Sequence, residues 1–231
     1  MSKMFLCVLL CIGASVCATA GILGFTDASQ FTADTVDWCA NFSCDGSQYA
    51  TPQPWTSTST ANTGLVGLAD TGEGFYSLQQ GTSWGGDFSN GMGVIYNGAA
   101  FDNTPTGIAL AFDQAQYGVG AWIQSNYYGA FTATLTLFDA SYQPLGSFTT
   151  SGTASDTPGT ALFIGGWDPL QEVYAATFAA YGTGGSEPDF ALGSVGFAGS
   201  TVAGAIPEPA SLLLIGPALG GLALLRRRRR G

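Results

Sequence analysis

The stretch Ala130 to Phe138, AFTATLTLF, alternates without a break. Phe131, Ala133, Leu135 and Leu137 would face one way, and Thr132, Thr134 and Thr136 the other. Successive side chains of a strand point to opposite faces, so a period of two marks a half-buried β-strand. Threonine on the wetter face adds to the preference, because its stiff β-branched side chain suits a pleated surface. The next residues, DASYQPLG, supply turn chemistry, and Leu145 to Thr150 returns as the second arm of a hairpin.

Outward from this hairpin the pattern recurs in short runs broken by glycine. Phe75 to Leu78 and Val94 to Tyr96 are brief strands, and Ile108, Leu110 and Phe112 alternate with small residues. Val119, Ala121 and Ile123 repeat that spacing, and Ala161 to Gly165 and Val173 to Tyr181 add two more strands. Phe190 to Phe197 is the last, with Gly193 placed where a bulge would let the side-chain phase shift. Nothing between residues 21 and 206 sustains a helical period. The expected fold is therefore all-β, an antiparallel β-sandwich of jelly-roll-like kind over residues 63–200. Residues 21–62, rich in Ser, Thr, Asn and Pro, read as an irregular N-terminal segment, and 201–206 as a linker.

The two ends read differently. Lys3, the apolar run Phe5 to Val16 and the small residues Ala18-Thr19-Ala20 make a signal peptide over residues 1–20, cut by signal peptidase. At the other end Pro207, Glu208 and Pro209 precede an apolar run, Leu212 to Leu225, and then Arg226, Arg227, Arg228, Arg229 and Arg230. As a helix those 14 apolar residues would span about 21 Å, short of the ~30 Å of a bilayer core. The arginines would keep the C-terminus on the cytoplasmic side.

Proline-glutamate-proline, a short apolar helix and a terminal arginine cluster closely resemble the PEP-CTERM sorting signal of Gram-negative bacteria, here over residues 207–231. The resemblance implies an exported protein whose precursor sits transiently in the inner membrane, where an exosortase removes the helix and the basic tail. The mature form would then reside at the cell surface or in the extracellular matrix. TSWGGDFSNGMGVIYN, the central stretch from Gly107 to Gly152 and PDFALGSVGF are similar to a β-sandwich module common in such proteins. That second resemblance supports the fold and supplies no catalytic residue.

Charge narrows the chemistry. All six basic residues, Lys3 and Arg226 to Arg230, lie in the two end segments, and the chain has no histidine. Residues 21–206 carry 15 of the 16 carboxylates and no cationic side chain at all. Nucleic acid and anionic headgroups thus have nothing to bind, and histidine-based catalysis or metal ligation is excluded. No cofactor is called for. Calcium is the ion that carboxylates and carbonyls suit, with Asp102, Asp113, Asp168, Glu172, Glu187 and Asp189 as unranked ligand candidates. Cys39 and Cys44 are the even pair left after signal-peptide removal, and an oxidising compartment would join them in a disulfide.

Two aromatic groups suit carbohydrate, since sugar rings stack on flat aromatic faces with amides and carboxylates holding their hydroxyls. One is Trp84 with Asp87 and Asn90. The other is Trp122 with Gln124, Asn126, Tyr127 and Tyr128. The same aromatics also suit the core or turns of a sandwich. A glycoside hydrolase needs two carboxyl groups at a set separation, and Glu73, Glu172 and Glu187 stand in no such pairing in the sequence. The expectation is a non-catalytic, secreted protein with a structural or adhesive role in exopolysaccharide or biofilm. The alternative is a carbohydrate-binding module with a definite glycan.

Overall fold

Fourteen strands and two short helical turns make up the computed structural model, which describes residues 21–69, 74–98, 107–182 and 189–201. In chain order they are β1 (Leu23–Phe25), a 3-10 turn (Ala28–Gln30), β2 (Asp34–Val36), α1 (Trp38–Asn41), β3 (Gln48–Tyr49), β4 (Gln53–Thr56) and β5 (Thr63–Leu68). Then come β6 (Phe75–Gln79), β7 (Gly93–Tyr96), β8 (Ile108–Gln116), β9 (Gly118–Ser125) and β10 (Gly129–Phe138). The last four are β11 (Pro144–Ala154), β12 (Leu162–Trp167), β13 (Val173–Gly182) and β14 (Phe190–Ala198). They form two antiparallel sheets. The first runs β1-β12-β9-β14-β7-β6-β3, with β2 also paired to β14, and the second runs β11-β10-β13-β8-β5-β4. The fold is all-β and sandwich-like. The signal-peptide segment, the linker beyond residue 201 and the whole sorting tail lie outside the described residues. Among the described residues no helix is long and apolar enough to cross a membrane.

The hairpin that indicated the fold behaves as its pattern requires. Phe131, Ala133, Leu135 and Leu137 of β10 are buried, while Thr132 is exposed and Thr134 and Thr136 are half-buried. β10 pairs with β11 along its length, from Gly129 opposite Ala154 to Leu137 opposite Gly146. Its buried side chains join one core with Val66, Leu110 and Phe178 of the same sheet and Val119, Ile123 and Phe197 of the other. Each such Leu, Ile or Phe contributes roughly 1.5–3 kcal/mol on leaving water.

β14 is the strand on which the first sheet turns. It pairs with β9 on one side, but three residues from Leu192 to Val195 span what two span from Ile123 to Ala121. That extra residue is the expected bulge, and it shifts the phase. Phe190 and Leu192 face the core before it, and Val195 and Phe197 face the core after it. On the other side β14 takes two partners in succession, β7 opposite Ala191 and Leu192, then β2 opposite Val195, Gly196 and Phe197. The bulge carbonyl of Gly193 accepts a 2.8 Å hydrogen bond from the indole N–H of Trp38, itself fully buried. A Cβ at Gly193 would come within 2.7 Å of Met92 Sδ and 2.9 Å of Phe88 Cδ1, so a close approach of side chains holds this residue small.

Residues 21–62, expected to be irregular, contribute to both sheets: β1, β2 and β3 join the first and β4 the second. The sandwich therefore begins at β1 and not at residue 63. β4 lies within TPQPWTSTSTANT, part of that segment. Here strands of two to four residues are too short to show a period, and their order comes from tertiary anchors. Cys39 and Cys44 form the expected disulfide, with Cα atoms 5.3 Å apart. Asp37 caps α1 by accepting from Cys39 N, a usual N-cap role for aspartate. Asp34 accepts from the backbone N–H groups of Thr35 and Ser59 and from the Asn62 amide. Its burial would raise its pKa, but hydrogen bonds from the 57–59 turn and Thr35 outweigh burial and hold it down at about 2.

Removing the Trp38 donor leaves the buried Gly193 carbonyl without its partner, which costs about 1–3 kcal/mol. Trp38→Phe is accordingly expected to lower the unfolding free energy by about 2 kcal/mol, read as a lower denaturant midpoint at unchanged slope.

Candidate functional site

The structure brings together three residues that the sequence had placed in two separate groups. Trp84, Asp87 and Gln124 meet on the outer side of the first sheet, and all three are buried. Gln124 Oε1 accepts from the Asp87 backbone N–H at 2.8 Å and, at 3.5 Å, from the Trp84 indole. The Asp87 carboxylate accepts from the Ser155 backbone N–H at 2.9 Å and from its hydroxyl at 2.5 Å. The Asp87 carbonyl accepts in turn from Gly159, Thr160 and Ala161. Trp84 packs with Phe88, Val94 and Ala191. These residues fasten the loop after β6 and the loop after β11 to the sheet beneath. Buried in this way they are built into the fold and are not glycan contacts: a tryptophan 9% exposed has no face on which a sugar ring could stack.

The other expected residues divide. Trp122 is half-buried, packed edge-on against Phe163 with ring centroids 5.4 Å apart. Asn90 is exposed, as are Tyr127 and Tyr128, the latter 64% so. Beside them lies a cluster the sequence reading did not assemble. Tyr96 donates its hydroxyl proton to Asp189 Oδ2 at 3.2 Å and accepts from the Asn126 amide at 3.1 Å. Tyr76 and Trp84 flank the Tyr96 ring, with centroids 6.2 Å and 5.2 Å away. Burial, and after it the Asp189 carboxylate, push the Tyr96 hydroxyl well above the usual phenol range. It is thus a fixed neutral donor. Tyr96 and Asp189 are 93 residues apart, so only the β7–β14 pairing makes them neighbours.

Among the described residues the acidic candidates do not converge. Asp113 accepts from the Thr63 hydroxyl, and Asp168 accepts from the backbone N–H groups of Leu170 and Glu172. Asp102, Glu187 and Glu73 lie outside the described residues. Among the described residues no group of three or more Cys, Asp or Glu side chains is placed to hold a metal ion.

A groove of about 330 Å³ opens on the outer face of the second sheet, of the size that takes a small ligand. Its floor is Gly67, Ala109 and Ala111 of β5 and β8, and Leu65, Phe138 and Tyr142 stand around it. Tyr142 is 70% exposed and sits at φ +58°, a left-handed conformation that costs a tyrosine of order 1 kcal/mol. Asp139 holds it there: its carboxylate accepts from the N–H groups of Ser141 and Gln143, and its carbonyl accepts from Tyr142 N. The turn thus carries an exposed ring beside an apolar floor. The sequence signal for it was an aromatic residue inside the turn ASYQP.

No protein-family model matches the chain, and no curated protein matches it. The chain is similar to the crystal structure of a DUF4465 family protein from Bacteroides caccae, at 15% identity and a TM-score of 0.41. That likeness covers 75% of this chain and 98% of the other, and at this level it carries no functional argument.

Asp87→Ala removes the acceptor for two Ser155 donors and is expected to cost about 1–3 kcal/mol. Amide exchange across residues 155–161 should quicken more than exchange in β10, which makes no contact with this carboxylate.

Proposed function

We propose that this chain is a secreted, non-catalytic protein of the cell surface or extracellular matrix, built on a jelly-roll-like sandwich and routed by its two ends. A signal peptide over residues 1–20 directs export. The PEP-CTERM-like tail holds the precursor in the inner membrane until an exosortase cuts near Pro207, Glu208 and Pro209. Its role is structural or adhesive in exopolysaccharide or biofilm. The observation that carries this reading is the distribution of charge and sulfur. A body with 15 carboxylates and no cationic side chain holds a Cys39–Cys44 disulfide, while Arg226 to Arg230 stand together at one end. A disulfide suits an oxidising compartment, and clustered arginines suit the inner side of a membrane. Intact-mass measurement of the mature protein from its native host should give a chain beginning at Gly21 and lacking Arg226 to Arg230. A surface form that keeps those arginines would overturn the sorting role.

A second reading, a carbohydrate-binding module, is favoured by the Tyr142 groove. A neutral sugar ring could stack on the exposed tyrosine above the Ala109 and Ala111 floor, and an acidic body without cations disfavours charged uronate chains. Affinity electrophoresis on neutral polysaccharides should then show retardation, weakened about tenfold by Tyr142→Ala, or ~1.4 kcal/mol. Equal mobility on every gel would remove this reading and leave the first intact.

A further inference from the structure

A sheet edge presents a row of N–H and C=O groups that can template pairing with another chain, and folded proteins guard such edges. Among the described residues the strands that end the two sheets are β1, β3, β4 and β11, besides the three-residue β2 on its branch, and all but β11 are short. β1 and β3 are only three and two residues long. β4 has four residues, includes Pro54, and ends under the Asn41 side chain, whose amide accepts from Thr56 N at 2.8 Å and donates to Thr56 O at 3.0 Å. β11 is different. It is 11 residues long, ends its sheet and, among the described residues, pairs through its length with β10 alone. Its one proline, Pro144, is the first residue, where it interrupts nothing. Across a cleft of about 380 Å³ stand Gly24 to Thr26 of the other sheet's margin, beside Ser147 to Thr150 and not hydrogen-bonded in register with them.

Charge selects what could dock there. Between Asp113 and Asp156 the sole charged residue is Asp139, at the tip of the hairpin. No carboxylate lies on β11 or on β10 beside it, so a cationic partner finds no charge to pair with along this edge, while a second copy meets no like charge there. The exposed side chains of β11 alternate as Ser147, Thr149, Ser151 and Thr153, opposite Thr136, Thr134, Thr132 and Ala130 of β10. A second copy brings the same neutral alternation, and an antiparallel pair of identical strands satisfies a two-fold axis automatically.

We propose that β11 is the docking edge for a second copy of this chain, β11 pairing antiparallel with β11 and joining the two six-stranded sheets into one. Backbone hydrogen bonds supply the attraction, as in strand addition generally, and the hydroxyl rows of the two copies continue one another.

Sedimentation velocity on the full-length chain in mild detergent tests this. The expected result is a concentration-dependent monomer–dimer equilibrium that tightens with added salt, because salt screens the repulsion between acidic bodies. Thr149→Lys with Ser151→Lys places like charges across the axis and should weaken the dimer at least tenfold. Thr82→Lys with Asn90→Lys, two exposed positions elsewhere, adds the same charge and should leave the dimer intact or tighter. In the unmodified chain, amide exchange within residues 144–154 should slow as concentration rises, which guards against a variant that fails to fold. A monomer at every concentration, a dimer indifferent to the β11 lysines, or equal loss in both lysine variants would each overturn the proposal.

Discussion

The hydrogen bond from the Trp38 indole to the Gly193 carbonyl sits where the first sheet changes its plan. A strand in register can keep only one neighbour on each side. β14 takes three partners, because one extra residue at Gly193–Ser194 ends its pairing with β7 and admits β2. Without the bulge the side chains beyond Leu192 would point the wrong way, and Val195 and Phe197 would leave the core. A bulge frees a carbonyl from the ladder, and a buried carbonyl needs a donor. Trp38 supplies it from a four-residue helix capped by Asp37 and followed by the Cys39–Cys44 disulfide. The N-terminal segment is thus less an appendage than the part that completes the central strand.

A second constraint runs through the whole body. With no cationic side chain between residues 21 and 206, no carboxylate there can be answered by a Lys, Arg or His in the same body. The structure answers them with N–H and O–H donors. Asp27 accepts from Ser29, Asp45 from Ser47, Asp139 from Ser141 and Gln143, and Asp168 from Leu170 and Glu172. Each of these is a local turn closed by a carboxylate, a use for which a short acidic side chain is well suited. Asp87 does the same over a separation of 68 residues. Acidity is thereby divided between two tasks: surface charge that keeps copies apart, and turn closure that replaces the missing ion pairs.

Most of the sandwich was legible because its longer strands carry their own period. AFTATLTLF announces both its faces, and Gly193 announces a phase shift because alternation breaks on either side of it. The short strands were not legible. β1, β2 and β3 have two or three residues each, and alternation over so few positions has no statistical force. The grouping of Trp84, Asp87 and Gln124 as sugar contacts misled for a different reason. Sequence shows that Trp84, Asp87 and Gln124 have the chemistry of a sugar site, but burial decides whether that chemistry faces a ligand or the protein, and burial is a property of the assembled sheets. Tyr96 with Asp189 needed the β7–β14 pairing before it existed. Tyr142 was hidden by the opposite error, since an aromatic in a turn reads as an accident until its backbone is seen to be held.

The edge of β11 gains its meaning from the same acidity. In an ordinary sandwich a long bare edge is a hazard, and lysine or a mid-strand proline blunts it. This body has no lysine to spend there, and a carboxylate on β11 would add to a repulsion already unrelieved by any cation. What protects the chain from indiscriminate pairing is the net negative charge of the body, which acts at a distance of about one Debye length, ~8 Å at physiological salt. Such protection is graded and depends on the medium, whereas a lysine on the strand would be permanent. Pairing through β11 would therefore be weak in dilute buffer and strengthen where counter-ions are dense.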